Sequence, residues 1–197
     1  MTPSPEFITG LKILEPFLFH YGFQLDTIIT QQASGGQFTN ATYINGGKKL
    51  IIGYRYSVGR LDYQFDNSTV MHNFYLDELG YADKKQYPDF QNGDIQNACR
   101  HILADFEYLK DDFFIGHCKE LKRIAEYQKK FYDDLQTKIY AEDELKKNKK
   151  IIDLARQQFK VRNYKGCIDV YKTVTKNYKL TEFDKRTIQL CNQHLTK

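Results

Sequence analysis

The stretch Leu50-Ile51-Ile52-Gly53-Tyr54-Arg55-Tyr56-Ser57-Val58-Gly59-Arg60-Leu61-Asp62-Tyr63-Gln64-Phe65 decides the fold of this chain. Leu50, Ile52, Tyr54 and Tyr56 fall on one face and Ile51, Gly53 and Arg55 on the other, which is the two-residue period of a strand. Ser57-Val58-Gly59 interrupts it, and Leu61, Tyr63 and Phe65 then alternate with Asp62 and Gln64. Upstream, Asn45-Gly46-Gly47 is a hairpin signal, because Asn and Gly tolerate positive φ, and it joins this region to a strand over Phe38–Ile44. Ser34-Gly35-Gly36 is a further turn. It follows a first strand in which Phe23, Leu25, Thr27 and Ile29 alternate with Gln24, Asp26 and Ile28. Asp66-Asn67-Ser68 closes the last strand. The expectation is a four-stranded antiparallel meander with flanking helices, in an α+β fold.

The flanking segments read as helices. Ile8, Leu11, Leu14, Leu18 and Tyr21 recur at helical spacing, with Ser4 or Thr9 as cap, Pro16 as a kink or late start and Gly22 as the stop. Met71 to Leu79 is a short helix ended by Gly80, and residues 81–91, with Pro88, are loop. Asp94 to about Asp112 is striped by Ile95, Ala98, Cys99, Ile102, Phe106 and Leu109. From His117 to about Asp143 the stripe is Leu121, Ile124, Gln128, Phe131, Leu135 and Ile139, spaced close to 3.5, as in helices that pair. The run Ala141 to Lys150 then turns from acidic to basic. It is either a domain boundary or one solvated continuous helix.

The 197 residues carry a net charge of +4 that hides a division. Residues 1–144 hold 15 Lys+Arg against 21 Asp+Glu, and residues 145–197 hold 14 against 4. The expected domains are an acidic α+β body, 1–144, and a basic helical tail, 145–197. Such asymmetry points either to a polyanionic partner or to two parts that answer each other. The apolar fraction of 41% suffices for a core, and 15 Tyr and 14 Phe with no Trp suit half-buried sheet faces and interaction surfaces. No run approaches the ~20 apolar residues of a membrane span. Met1-Thr2-Pro3-Ser4-Pro5-Glu6 has no features of a secretory signal, so a cytoplasmic protein with reduced thiols is expected.

Within the tail, Leu154-Ala155, Tyr164, Cys167-Ile168, Tyr171 and Val174 resemble one tetratricopeptide helix-turn-helix unit. Ile151, Gln158, Val174 and Lys179 depart from that pattern. The resemblance implies a helical hairpin in which small Ala155 and Cys167 allow close approach and Tyr164 and Tyr171 fill the wedge. A third helix, Thr181 to about His194, would cap it, and such a unit is not stable alone. The block from Ser34-Gly35-Gly36-Gln37-Phe38 through Tyr54–Gly59 to His72 and Tyr75–Gly80 is similar to small uncharacterised bacterial proteins, a likeness that implies no activity.

Chemistry-bearing patterns are sparse. Cys99-x-His101 and His117-Cys118 lack the spacing by which ligands converge on one metal tetrahedron, so no metal or cofactor is expected. Asp105/Glu107, Asp111-Asp112 and Asp133-Asp134 diverge on a helix and form no acid–base dyads. No nucleophile-elbow, Walker or dinucleotide pattern occurs, and no catalytic residue is assigned. The expected function is a protein–protein interaction module, adaptor- or immunity-like, that binds a protein partner or itself. Its candidate residues are Tyr54, Arg55, Tyr56, Tyr63 and His72. The alternative is nucleic-acid binding through Lys146, Lys147, Lys149, Lys150, Arg156, Lys160, Arg162 and Lys165. A third reading is an enzyme with a cleft at the sheet, around Tyr54, Arg55 and His72.

Overall fold

The computed structural model describes residues 2–88 and 94–196, and the chain divides into two compact units, Met1–Phe131 and Tyr132–Lys197. The first unit opens with helix α1 (Pro5–His20). Pro5 sits in its first turn, where a missing N–H is harmless, and the helix runs on through Pro16. Phe7, Gly10, Leu11, Leu14 and Leu18 form its buried face.

The sheet follows as β1 (Gln24–Ala33), β2 (Gly36–Asn45), β3 (Lys48–Tyr54), β4 (Val58–Phe65) and β5 (Ser68–Met71), in that spatial order and antiparallel throughout. It has five strands, not four. Asp66, at φ 52°, makes a tight turn rather than an end, and the chain returns through Ser68–Met71. A strand of four residues is too short to show a period.

Cross-strand rows define the two faces. Ile28, Ala41, Ile52 and Leu61 form an inward row, and Ile29, Asn40, Gly53 and Arg60 an outward one. The face read for β1 is corrected here. The register slips between Leu25 and Thr27: Leu25 lies opposite buried Tyr43, but beyond the slip Ile28 lies opposite buried Ala41 and Ile29, opposite Asn40, is 48% exposed. A bulge adds one residue and reverses the alternation beyond it.

Helices α2 (His72–Glu78) and α3 (Ile95–Leu109) complete the core with the first turns of α4 (Lys119–Lys160). Asp94 caps α3 by accepting from the Gln96 N–H at 3.0 Å. Gly10 is where α1 meets α3, since a Cβ there would lie 3.0 Å from Cys99 Sγ and Ile95 Cγ1. After Leu109 the helix widens into one π-helical turn, Lys110–Phe114, in which Ile115 N–H donates to Lys110 O at 2.9 Å. That turn carries Phe113 and Phe114 into the core against Phe23, Tyr63 and Phe17. Asp112 then accepts from the Glu120 and Leu121 N–H groups at 3.1 and 2.8 Å and from the Tyr75 hydroxyl, so a carboxylate closes the positive end of α4.

The run Ala141 to Lys150 does not break the chain, because α4 is one helix of 42 residues. The second unit consists of its C-terminal part, α5 (Tyr164–Tyr171) and α6 (Glu182–Leu195). Arg162, at φ 58°, turns the chain after α4, Asn163 caps α5, and Thr181 and Asp184 form a capping box on α6. Ile152, Ala155, Cys167, Tyr171 and Cys191 make the core of this unit. Ala155 and Cys167 are fully buried, Leu154 beside them is 46% exposed, and α5 stops short of Val174. Among the described residues no helix is long and apolar enough to cross a membrane.

Candidate functional site

The tips of two hairpins meet in the first unit. At the β3–β4 turn the Arg55 N–H donates to Ser57 O at 3.1 Å, and Arg55 and Tyr56 project from the sheet. The Tyr56 hydroxyl donates to Gly35 O, in the β1–β2 turn, at 3.0 Å. Arg55 lies over the same glycine: a Cβ at Gly35 would fall 1.5 Å from an Arg55 guanidinium nitrogen. A side chain at Gly35 would displace the guanidinium from this position. Arg55 Cζ is 5.5 Å from the centre of the Tyr56 ring, which is 77% exposed.

Tyr54 divides this region into two open clefts. The first, of about 480 Å³, is lined by Glu6, Thr9, Tyr54, Tyr56, Asp94 and Gln96 among others. The second, of about 190 Å³, is lined by Phe38, Asn40, Gly53, Arg55 and Arg60, with Tyr54 shared. Gly53 forms the dip of the second cleft, because a Cβ there would meet Asn40 Oδ1 at 2.7 Å and Arg60 Cβ at 2.8 Å. Tyr54 stacks on Phe7 with ring centres 5.2 Å apart, and its hydroxyl donates to Glu6 Oε2 at 3.3 Å. Burial first, and the Glu6 charge second, raise its pKa, so it stays a protonated donor. The two clefts differ in charge. Glu6 and Asp94 border one, Arg55 and Arg60 the other, with Arg60 paired to Asp62 at 2.5 Å.

Tyr63 and His72, named with these residues from the sequence, stand elsewhere. They are 0% and 3% exposed, and neither cleft touches them. The Tyr63 hydroxyl lies 2.7 Å from His72 Nδ1, and His72 Nε2 lies 3.1 Å from Asp105 Oδ2. Asp105 also accepts from the Gln86 and Tyr87 N–H groups at 2.7 and 2.9 Å. Burial, then the charges of Asp105 and Asp62, hold the Tyr63 pKa well up, so Tyr63 donates to Nδ1 and a neutral His72 donates from Nε2. Burial lowers the His72 pKa despite the opposing pull of Asp105. Every side-chain polar atom of the Tyr63–His72–Asp105 series is used inside the fold, where it ties the segment after α2 to α3. It offers a partner no surface.

The predicted basic patch is partly diverted. Lys147, Lys149 and Lys150 are exposed on α4, as are Lys160 at its end, Arg162 in the turn after it and Lys165 in the first turn of α5. Lys146 lies 3.7 Å from Asp143, and Arg156 turns inward to hold both oxygens of Asp184 at 2.9 and 3.2 Å. Asp184 also accepts from Tyr171 at 2.9 Å and from the Thr181 hydroxyl at 2.5 Å. Burial would raise its pKa, but the hydrogen bonds from Arg156, Thr181 and Tyr171 outweigh that and lower it.

All four cysteines are free and buried. Burial pushes Cys99 up to about 12 and Cys118 to about 11, so neither is a thiolate at neutral pH. Among the described residues no group of three or more His, Cys, Asp or Glu side chains is arranged to hold a metal. Glu6, Asp94 and Arg60 were not legible as site residues. Asp94 carries only a cap signal, and Glu6 and Arg60 lie 48 and six positions from Tyr54 with no motif linking them. No family model matches the chain, and no curated protein and no solved structure matches it either.

Proposed function

We propose that this chain is a protein–protein interaction module, adaptor- or immunity-like, that engages a partner through Tyr54, Arg55 and Tyr56 and the two clefts beside them. The observation that carries this reading is Tyr56, largely exposed yet fixed by Gly35 and Arg55 at the rim of an open groove. Tyr and Arg that are ordered before binding lose little side-chain entropy on contact, and these residue types dominate the energy of protein interfaces. The adjoining charges suggest what the partner presents. A basic side chain suits the cleft bordered by Glu6 and Asp94, and an acidic one suits the cleft bordered by Arg55 and Arg60.

Photo-crosslinking in the native host tests this directly. Benzoylphenylalanine in place of Tyr56 is expected to give a discrete adduct with one protein. The adduct is expected to disappear on Arg55→Glu and to be absent when the probe replaces exposed Phe183 instead. Adducts shared equally by the Tyr56 and Phe183 positions, or none from Tyr56, would overturn the proposal.

A further inference from the structure

The two edges of the sheet are treated differently. β5, at one edge, is four residues long and closed by a side chain: Met71 N–H donates to Gln128 Oε1 at 3.0 Å, and Gln128 Nε2 donates to Thr69 O at 3.5 Å. The Gln128 amide therefore occupies both kinds of backbone group that another strand would seek. β1, at the other edge, is ten residues long. Among the described residues no hydrogen bond reaches it from the side opposite β2. Its bulge disturbs only the start, and Thr27–Ala33 then runs in unbroken register with β2. Half the backbone donors and acceptors of that stretch face outward without a partner strand.

Proteins that leave an edge uncovered guard it with lysine, proline, a bulge or a very short strand. From Thr27 to Ala33 there is no charged residue and no proline, and Ile29 on the outward face is about half exposed. We infer that β1 is an interface, and that its occupant is β1 of a second copy of this chain, paired antiparallel about a twofold axis near Thr30. Two arguments select the second copy. A neutral strand laid against itself brings no like charges together, whereas one guarding charge would forbid that pairing. The cleft lined by Phe38 and Asn40 adjoins β1 across β2, and no β1 residue lines it; self-pairing needs no pocket, because the backbone ladder supplies the affinity. Two five-stranded sheets then continue as one. This inference rests on the interaction-module reading and names one partner for it, at a surface separate from Tyr56.

The test is the solution mass of the full chain by sedimentation, at micromolar and sub-millimolar concentration. The wild type is expected at twice 23.3 kDa. Ile29→Lys with Gln31→Lys sets like charges across the twofold on exposed positions, and is expected to halve the mass with an unchanged circular dichroism spectrum. The pair Ile29→Glu and Gln31→Glu is expected to do the same, and mixing the two variants to restore the doubled mass. A monomeric wild type, a dimer that survives the lysine pair, or no recovery on mixing would overturn β1 pairing. Because neither substitution touches Tyr56, failure here leaves the crosslink from Tyr56 intact, so the two readings fail separately.

Discussion

Asp105 and Asp184 are both fully buried, one in each unit, yet they are held by opposite chemistry. Asp105 accepts from two backbone N–H groups and a neutral His72, and among the described residues no Lys or Arg pairs with it. Asp184 is gripped by the Arg156 guanidinium as well as by Tyr171 and Thr181. The cores around them differ in size. Among the described residues, twenty-five buried apolar side chains, Tyr63 included, form the core around the first network, whereas five form the core of the second. A large core supplies most of the stability by itself, and its polar chain fixes the positions of elements. A small helical unit has little area to bury and relies on its ion pair, its two caps and the Asn148–Thr175 pair to define one arrangement.

The largest expected effect follows from that dependence. Asp184→Asn keeps the shape and removes the charge, leaving Arg156 with a neutral partner. It should destabilise α5 and α6 by about 3 kcal/mol, toward the low end for breaking a buried pair because Arg156 is partly exposed. Hydrogen exchange should show the loss at α5 and α6 while the amides of β3 and β4 keep their protection. Equal loss in both units would break the comparison.

Acidification should separate the same two regions by smaller steps. His72 has a folded pKa below its ordinary 6.5, so the unfolded chain binds its proton first, and stability around β4 and α2 falls as pH drops through 6.5. Asp184 has a folded pKa below 3.8. Its contribution is present at neutral pH and is lost only as pH falls below that value. Protection factors, which correct for the intrinsic slowing of exchange at lower pH, should therefore fall first in the sheet unit as pH is lowered from 7.5. An earlier loss in α5 and α6 would contradict the assignment.

The same contrast explains what the sequence made legible. Asn45-Gly46-Gly47 and the alternation through Leu50–Tyr56 and Leu61–Phe65 each specify a local conformation, and both hairpins formed, although the strand read to Tyr56 ends at Tyr54, where the register shifts into the turn. The Thr181–Asp184 cap is equally local. The bulge after Leu25, the π-helical turn at Lys110–Phe114 and the short β5 each depend on one residue more or less, which periodicity averages away. The site divides along the same line. Tyr54, Arg55 and Tyr56 flank a readable turn, but nothing local separates exposed Tyr56 from buried Tyr63. That difference arises because His72 and Asp105, nine and 42 positions from Tyr63, close over its hydroxyl. Arg156 was read as a surface charge for the same reason, since its partner lies 28 positions away.

The central claim is that the buried polar chain serves the fold and the exposed hairpin tip serves recognition. One paired measurement tests it: thermal stability together with pull-down recovery, without any probe, of the partner protein that the Tyr56 crosslink identifies. Arg55→Ala with Tyr56→Ala is expected to change stability by no more than about 0.5 kcal/mol, as surface substitutions do, and to reduce recovery at least tenfold. His72→Phe is expected to cost about 1–3 kcal/mol, by leaving Tyr63 and Asp105 short of a partner, and to leave recovery unchanged well below its melting temperature. Full recovery with the Ala pair, or loss of recovery with a folded His72→Phe protein, would contradict the account.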